Sequence, residues 1–397
     1  MDEIKNFCYI PFRELYIDHN SGDTTPGYKS CCIQTDSYKG TPLSGSKDWF
    51  HTDEGLVNIR KQFLSDKQPS RCISCWKLEA SGSISKRQST NKRYKERRID
   101  PFDTPELEVL DVRLSNKCNL QCKMCYAGNS DQIAKNMISA TEAGKLDPQY
   151  AKDESALYYS NSSNIDPVEG LYEFILNNEN IIEIKFAGGE PFVMPEVEEL
   201  LLKLIKIGRT DLHTFFLTNC TTVKTDVLEI LKQFDSTSIG CSIDGVDEWI
   251  EYQRFPVKWE SVKRNYNKLL KNEIETFITP AWCHLNLLGI IDFFKWIEED
   301  NITCNIEWND VDYPTYLNWE LIPMKYRTNL IEQLDNFTFP TNISNGYHTL
   351  IDRVKNDVRE ITEQERKELY TNAQLWDFNN PIKYRDMFPW AKELLNE

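Results

Sequence analysis

The chain has 397 residues, 40% of them apolar, with 46 lysines and arginines against 62 aspartates and glutamates, a formal charge of −16. That length predicts two or three domains with enough apolar material for packed cores, no apolar run approaches a membrane span, and the acidic balance disfavours nonspecific binding to polyanions. Twelve cysteines, with no basic-then-apolar leader in Met1-Asp2-Glu3-Ile4-Lys5-Asn6, predict a reducing, cytoplasmic setting where clustered thiols serve metals or catalysis in preference to disulfides.

Residues 1–100 hold one thiol set: Cys8, Cys31, Cys32, Cys72 and Cys75. Cys8, one of the adjacent pair, Cys72 and Cys75 supply four thiolates, enough to ligate a four-iron cube completely. Adjacent cysteines rarely bind one cube together, so one of Cys31 and Cys32 reads as a spare. A structural zinc ribbon uses the same Cys-x2-Cys spacing and is the alternative. A basic run follows, Lys86-Arg87 and then Lys92-Arg93-Tyr94-Lys95-Glu96-Arg97-Arg98. It reads as a solvated linker or helix face, with an anionic substrate or nucleic acid as the sharper alternative.

From residue 108 onward β-rich runs alternate with amphipathic segments. The expected strands are residues 108–114, 182–187, 214–218, 238–243, 276–281 and 303–308, with helical spacing in 197–207 and 259–270. Six such units, spaced near the ~30 residues of a βαβ unit, predict an α/β fold with a partial (β/α)6 TIM-like barrel over 101–312. A small cysteine-rich domain over 1–100 precedes it, and a helical tail over 313–397 follows, with helical stretches at 370–375 and 389–395. The polar segment 141–164 reads as a surface excursion.

Immediately after the first barrel strand come Cys118, Cys122 and Cys125. Three thiolates at this spacing, with no fourth and no histidine nearby, fit three irons of a cube and leave the fourth open, at the barrel mouth where such folds place their chemistry. The second strand ends in Phe186-Ala187-Gly188-Gly189-Glu190-Pro191, where two glycines admit a ligand close to the backbone and Glu190 can receive an ammonium group. Cys220, Cys241, Cys283 and Cys304 read as core thiols. Cys283 with His284, and Asp310 with Asp312, follow later strands and are candidates to face the barrel mouth as a base or polar substrate contact.

The Cys-x3-Cys-x2-Cys loop followed by GGEP resembles the radical S-adenosylmethionine (SAM) superfamily. The resemblance implies that Cys118, Cys122 and Cys125 hold a [4Fe-4S] cluster whose open iron is chelated by SAM. One electron from a flavodoxin- or ferredoxin-like donor then yields a 5'-deoxyadenosyl radical that takes hydrogen from substrate. It further implies that Gly188, Gly189, Glu190 and Pro191 bind the SAM amino group, that Thr218, Asn219, Ser242 and Asp244 line the cofactor, and that Arg254 pairs with the SAM carboxylate. Met124 departs from the pattern, since relatives usually carry an aromatic residue before the third cysteine. The N-terminal cysteines, with Leu15-Tyr16-Ile17, a turn at Asn20-Ser21-Gly22, and Trp76, Glu79 and Gly82 after Cys75, resemble a twitch or SPASM-like domain placed ahead of the barrel. That implies an auxiliary [4Fe-4S] cluster and a peptide or protein substrate. Small-molecule or nucleotide substrates, and a non-catalytic metal protein that binds partners or nucleic acid, are the alternatives.

Overall fold

A computed structural model of the chain describes residues 4–18, 27–35, 37–38, 48–80, 84–161, 167–307, 309–311, 313–338 and 352–395. Seven strands form one sheet: β1 (Glu14–Asp18), β2 (Gly27–Lys29), β3 (Val109–Arg113), β4 (Glu183–Phe186), β5 (His213–Thr218), β6 (Ser236–Cys241) and β7 (Glu275–Ile278). Two short strands, β8 (Ala281–Trp282) and β9 (Asn309–Asp310), pair separately. With helices between the strands this is the expected α/β, partial TIM-like fold with a helical C-terminal region. Packing divides the chain into two compact units, one of Met1–Ser115, Asn164–Phe216 and Glu229–Thr237, the other of Asn116–Ser163, Leu217–Leu228 and Ser238–Glu397.

In the first unit β1 runs antiparallel to β2, with Asp18 opposite Gly27, and parallel to β3, with Glu14 opposite Val109. β3 then pairs with β4, and β4 with β5. The hairpin expected before Cys31-Cys32 is therefore present, and its first strand joins the same sheet as β3; its turn, Asn20-Ser21-Gly22, lies outside the described residues. Side chains alternate with the period of two that a strand imposes. Leu15, Ile17, Leu110, Val112, Ile184 and Phe186 are buried on one face. Tyr16, Asp111 and Lys185 align across three strands on the other. Beside the sheet, Phe7, Cys8, Tyr9, Ile10, Phe12, Ile59, Phe63, Trp76 and Tyr94 form an aromatic-rich core.

Of the two readings of the basic run, linker or helix face, the structure shows the helix, with Lys92, Lys95, Arg97 and Arg98 exposed. The run folds as the helix Lys86–Glu96, opened by a reciprocal capping box between Ser85 and Gln88, and Tyr94 sinks fully into the core. Three of its arginines pair inside the unit: Arg87 meets Glu79 at 2.6 Å, Arg93 meets Glu14 at 2.7 Å and Arg97 meets Glu108 at 2.5 Å. Glu14 and Glu108 are buried, so these pairs offset the cost of desolvating carboxylates, and the charge they hold is not offered to a polyanion.

In the second unit the segment expected as an irregular excursion contains two short helices, Pro148–Asp153 and Ala156–Asn161. Asp147 caps the first by accepting from the Gln149 N–H, and Pro148 occupies the first turn. Their apolar anchors are mainly alanines, Ala151 and Ala156, packed with Ile133, Met137 and Leu375, which left a faint periodicity in the sequence. The expected strand 276–281 breaks after Ile278 because Pro280 has no N–H for the ladder. The expected strand 303–308 contributes one bridge, Ile306 to Ile278, and then β9; Trp308 lies outside the described residues. Helix Trp259–Lys271 buries Val262, Tyr266 and Leu269 at helical spacing. The tail supplies helix Glu363–Asn379, whose Leu375 carbonyl accepts from Asn136 at 3.2 Å. Among the described residues no helix is long and apolar enough to cross a membrane.

Candidate functional site: a three-thiol loop and a four-thiol cavity

The three-thiol loop lies in the second unit and is held by its backbone. Asn116, fully buried, donates through Nδ2 to the carbonyls of Ala127 at 3.1 Å and Tyr159 at 2.7 Å, and its own carbonyl accepts from Asp131 N at 2.9 Å. Asp131 Oδ1 accepts from Cys118 N at 3.0 Å, and Ser130 Oγ donates to Leu120 O at 2.6 Å. Gln121 N and Lys123 N donate to the carbonyls of Phe255 and Gln253 at 2.6 and 2.8 Å. Asn219 Nδ2 donates to Asn119 Oδ1 at 3.0 Å, while Asn119 Nδ2 donates to Thr221 Oγ1 at 2.7 Å. Backbone groups are thus consumed by neighbours, and Cys118, Cys122 and Cys125 form no disulfide and are partly exposed.

Asp244 and Arg254 sit beside this loop. Asp244 is fully buried. Its Oδ2 accepts from Arg254 Nε at 2.5 Å and Gln253 Nε2 at 3.0 Å, and its Oδ1 accepts from Arg254 Nη2 at 2.9 Å and Ala281 N at 2.8 Å. This bidentate fork fixes the guanidinium plane and aims Nη1 at Cys122 Sγ, 3.9 Å away. Burial pushes the Cys122 thiol up to about 12, and Arg254 is the largest influence lowering it. Ser242 is half-buried, with its N–H on the Thr218 carbonyl at 2.8 Å. Thr218 Oγ1 in turn accepts from Cys220 N at 3.1 Å. Thr218, Asn219, Ser242, Asp244 and Arg254 thus belong to one unit with the three thiols.

Sequence reasoning missed two residues here. Lys123, between two of the cysteines, is buried with its ammonium over the rings of Tyr252 and Phe255, and burial draws it down to about 7. Gln253 bridges Asp244 and the Ala281 carbonyl. Neither carries a motif; an uncompensated lysine inside a cysteine loop was the sole signal.

In the first unit Gly188 and Gly189 take φ of +75° and +55°, a region costly for side chains with a Cβ. A Cβ on Gly188 would also lie 2.6 Å from side-chain carbons of Arg113. Glu190 is buried and accepts from Phe192 N at 3.1 Å, opening the turn Pro191–Val193. Gly188→Ala is expected to lose about 1–2 kcal/mol to the positive φ alone. An unchanged thermal unfolding midpoint would show that the loop relaxes freely.

Also in the first unit, Cys8, Cys31, Cys72 and Cys75 line a single small cavity with Ser30, Gln34, Phe63 and Arg87. Cys8 is electrostatically coupled to Cys72 and Cys75, and burial raises all three thiols. Arg87 braces the wall: it forks onto Glu79, donates to Phe7 O at 2.8 Å and stacks over Trp76. Gly82 lies outside the described residues. Among the described residues no three His, Cys, Asp or Glu side chains converge as ligands of a single ion would. A cube takes its thiolates at separate corners, and the donor chemistry of both thiol sets, three on the loop and four around the cavity, fits such clusters.

Two readings are corrected. Cys283 and His284 do not face a mouth; both are fully buried, His284 against Tyr384 and Phe388 with Nε2 3.1 Å from the Tyr384 hydroxyl. Asp310 is spent on Arg353 Nη1 at 2.5 Å and Trp319 Nε1 at 3.0 Å, and Asp312 lies outside the described residues. Cys220 and Cys241 are core thiols as expected, while Cys304 is half-buried beside the Tyr266 hydroxyl.

Burial pulls His284 down to about 3 from an ordinary 6.5. The folded ring stays neutral while the unfolded one takes a proton, so its contribution is complete above pH 6.5 and is lost as pH falls from there towards 3. About 2 kcal/mol is expected to be missing at pH 5. Urea unfolding of the parent and His284→Gln at pH 7 and 5 checks this; an equal pH dependence in both would remove His284 as the cause.

Residues 112–297 match the family described as the radical SAM superfamily. The fold and the three-thiol loop agree with that match, which gives the chain a radical SAM domain over these residues. The chain is 26% identical over 143 residues to an uncharacterized protein of Methanocaldococcus jannaschii, covering 36% of this chain and 40% of that one. To the radical SAM cyclopropyl synthase TigE of Paramaledivibacter caminithermalis it is 24% identical, covering 36% and 29%. To the Fe-coproporphyrin III synthase of Methanosarcina barkeri it is 24% identical, covering 51% and 43%. The chain thus spans less than half the length of these curated relatives. Among solved structures it is similar to anSMEcpe with bound AdoMet (TM-score 0.39, 16% identity, 64% of this chain and 62% of that one). It is also similar to Streptococcus suis SuiB bound to the precursor peptide SuiA (TM-score 0.34, 14% identity, 91% and 78%).

Proposed function

We propose that the chain is a radical SAM enzyme that modifies a peptide or protein side chain, using a SAM-binding cluster on Cys118, Cys122 and Cys125 and an auxiliary cluster in its N-terminal hundred residues. The observation that carries the reading is the pair of thiol sets, three on one loop and four around one cavity. With SAM bound at its open iron, the first cluster supplies a 5'-deoxyadenosyl radical on one-electron reduction. The chain's own residues shape that site. Asp244 holds the Arg254 plane, which presents a cation beside Cys122 and suits a carboxylate such as that of SAM. Asn219 fixes the loop through Asn119. Within the first unit, Gly188 and Gly189 leave their backbone open to close approach and Glu190 carries a carboxylate, the chemistry that the family resemblance assigns to an ammonium.

A fully ligated second cluster can relay electrons or hold position, and cannot chelate SAM. The substrate class follows from the resemblance of the N-terminal hairpin and cysteines to twitch and SPASM-like modules. A flavodoxin- or ferredoxin-like protein is the proposed electron donor.

The test is anaerobic incubation of the reconstituted enzyme with SAM, a low-potential reductant and peptides encoded by short reading frames beside its gene. A mass change in one peptide, matched by 5'-deoxyadenosine, is expected. Peptides left unmodified while a tetrapyrrole or nucleoside is turned over would replace the peptide reading with a small-molecule one. The parent is expected to hold about eight irons, two four-iron clusters; zinc in place of the second would establish the ribbon.

A further inference from the structure

We propose that the fourth ligand of the auxiliary site is Cys31 and not Cys32, and that Gln34 donates a hydrogen bond to the cluster held there. The proposal rests on the auxiliary-cluster reading above and goes beyond it, because the sequence leaves the adjacent pair undivided.

The turn after β2 leaves the two thiols in contact with one another but gives them different surroundings. Gln34 N donates to the Cys31 carbonyl at 3.1 Å, closing a tight turn over Cys31–Gln34. Cys31 thereby lines the cavity with Cys8, Cys72 and Cys75. Cys32 does not line it. Its Sγ instead accepts from Lys86 Nζ at 2.9 Å. Lys86 opens the helix Lys86–Glu96 and is influenced also by Asp111 and Glu14 on the sheet. A sulfur engaged by the half-buried Lys86 ammonium would have to give up that pairing in order to bind iron. Cys31's own side-chain contact is with the Cys32 sulfur, and among the described residues no cation stands at hydrogen-bonding distance from it.

Gln34 supplies an independent observation. It is 3% exposed and lines the same cavity. Its Oε1 accepts from both Ser30 N at 3.1 Å and Ser30 Oγ at 2.7 Å. A backbone N–H can only donate, so the atom facing it is oxygen and the amide orientation is fixed. The other atom, Nε2, approaches the Tyr38 hydroxyl but, among the described residues, meets no acceptor in good hydrogen-bond geometry. A buried amide donor left without an acceptor costs about 1–3 kcal/mol. The sulfides and thiolates of a cluster are the acceptors that the four-thiol cavity would bring, and hydrogen bonds to cluster sulfurs are among the influences that set reduction potential. Gln34 is therefore a positioning residue: it shapes the cluster's surroundings and ligates nothing.

The experiment uses the full chain, reconstituted anaerobically with iron and sulfide, and reads iron content, the electron paramagnetic resonance of the reduced clusters and their midpoint potentials. Circular dichroism and thermal unfolding serve as folding controls. The parent is expected to hold about eight irons, Cys31→Ala about four and Cys32→Ala about eight. Cys31→Ser, closer in size and a poor iron ligand, is expected to match Cys31→Ala and covers a failure of the alanine variant to fold. Gln34→Glu keeps the acceptor that Ser30 needs and replaces the donor, so the auxiliary cluster's potential is expected to fall while that of the SAM cluster stays in place. A parent with only about four irons, or with zinc, would refute the auxiliary-cluster reading itself. With about eight irons in the parent, loss from Cys32→Ala, from both single variants or from neither would overturn the Cys31 assignment, and an unmoved auxiliary potential in Gln34→Glu would overturn the role of Gln34.

Discussion

Replacing Cys118, Cys122 and Cys125 together by alanine is expected to abolish 5'-deoxyadenosine formation and to leave about half of the iron, because the loop then offers no thiolate while the four-thiol cavity is untouched. The loop's shape does not depend on these side chains. It is held through Asn116, Asp131, Ser130 and the backbone contacts of residues 121 and 123. The triple variant should therefore fold, so that loss of product reports loss of the cluster. Product quantified by chromatography, alongside iron and sulfide analysis, decides the matter. SAM cleavage at the parent rate by the triple variant would displace the site altogether.

Asp244→Ala is expected to lower stability by about 3–5 kcal/mol, the usual result of removing one partner of a buried ion pair and leaving the other uncompensated. Asp244 takes four donors, from Arg254 twice, Gln253 and Ala281. Removing it strands all of them in a buried setting. The same change frees Arg254, whose Nη1 stands beside Cys122. SAM cleavage is expected to fall by about 10–100-fold, the range seen when residues that orient metal ligands are lost. Arg254→Lys separates the effects: it keeps the charge and loses the planar fork, so activity should drop further than stability. A variant at position 244 as stable and as active as the parent would mean that this network neither supports the fold nor orients the site.

The proposed auxiliary cluster depends on the N-terminal hundred residues, and the four thiols around one cavity give it a physical basis beyond spacing. The basic helix Lys86–Glu96 serves that module: Arg87 braces Glu79 and Trp76, Tyr94 fills the core, and Lys86 engages Cys32. Nucleic-acid binding through this run is weakened as an explanation, because Glu14, Glu79 and Glu108 already take three of its four arginines.

The sequence by itself determined the class of chemistry and the β/α order. Thiol spacing is local, so Cys118, Cys122 and Cys125 announce a three-ligand loop wherever the chain folds. Strand and helix periods are local too, and the segments around Leu110, Ile184, Phe216 and Ile239 were legible as strands for that reason. Only the tertiary structure decided what depends on contacts distant in sequence. Periodicity does not reveal that Asp244 is saturated by Arg254, Gln253 and Ala281, that Leu375 packs against the helix carrying Asn136, or that His284 is sealed under Tyr384. A charged run such as residues 92–98 reads as solvated until its partners, Glu14 and Glu108, are brought beside it by the sheet. Adjacent cysteines are equivalent in sequence and become distinct only when a turn sends one towards three other thiols and its neighbour to a lysine.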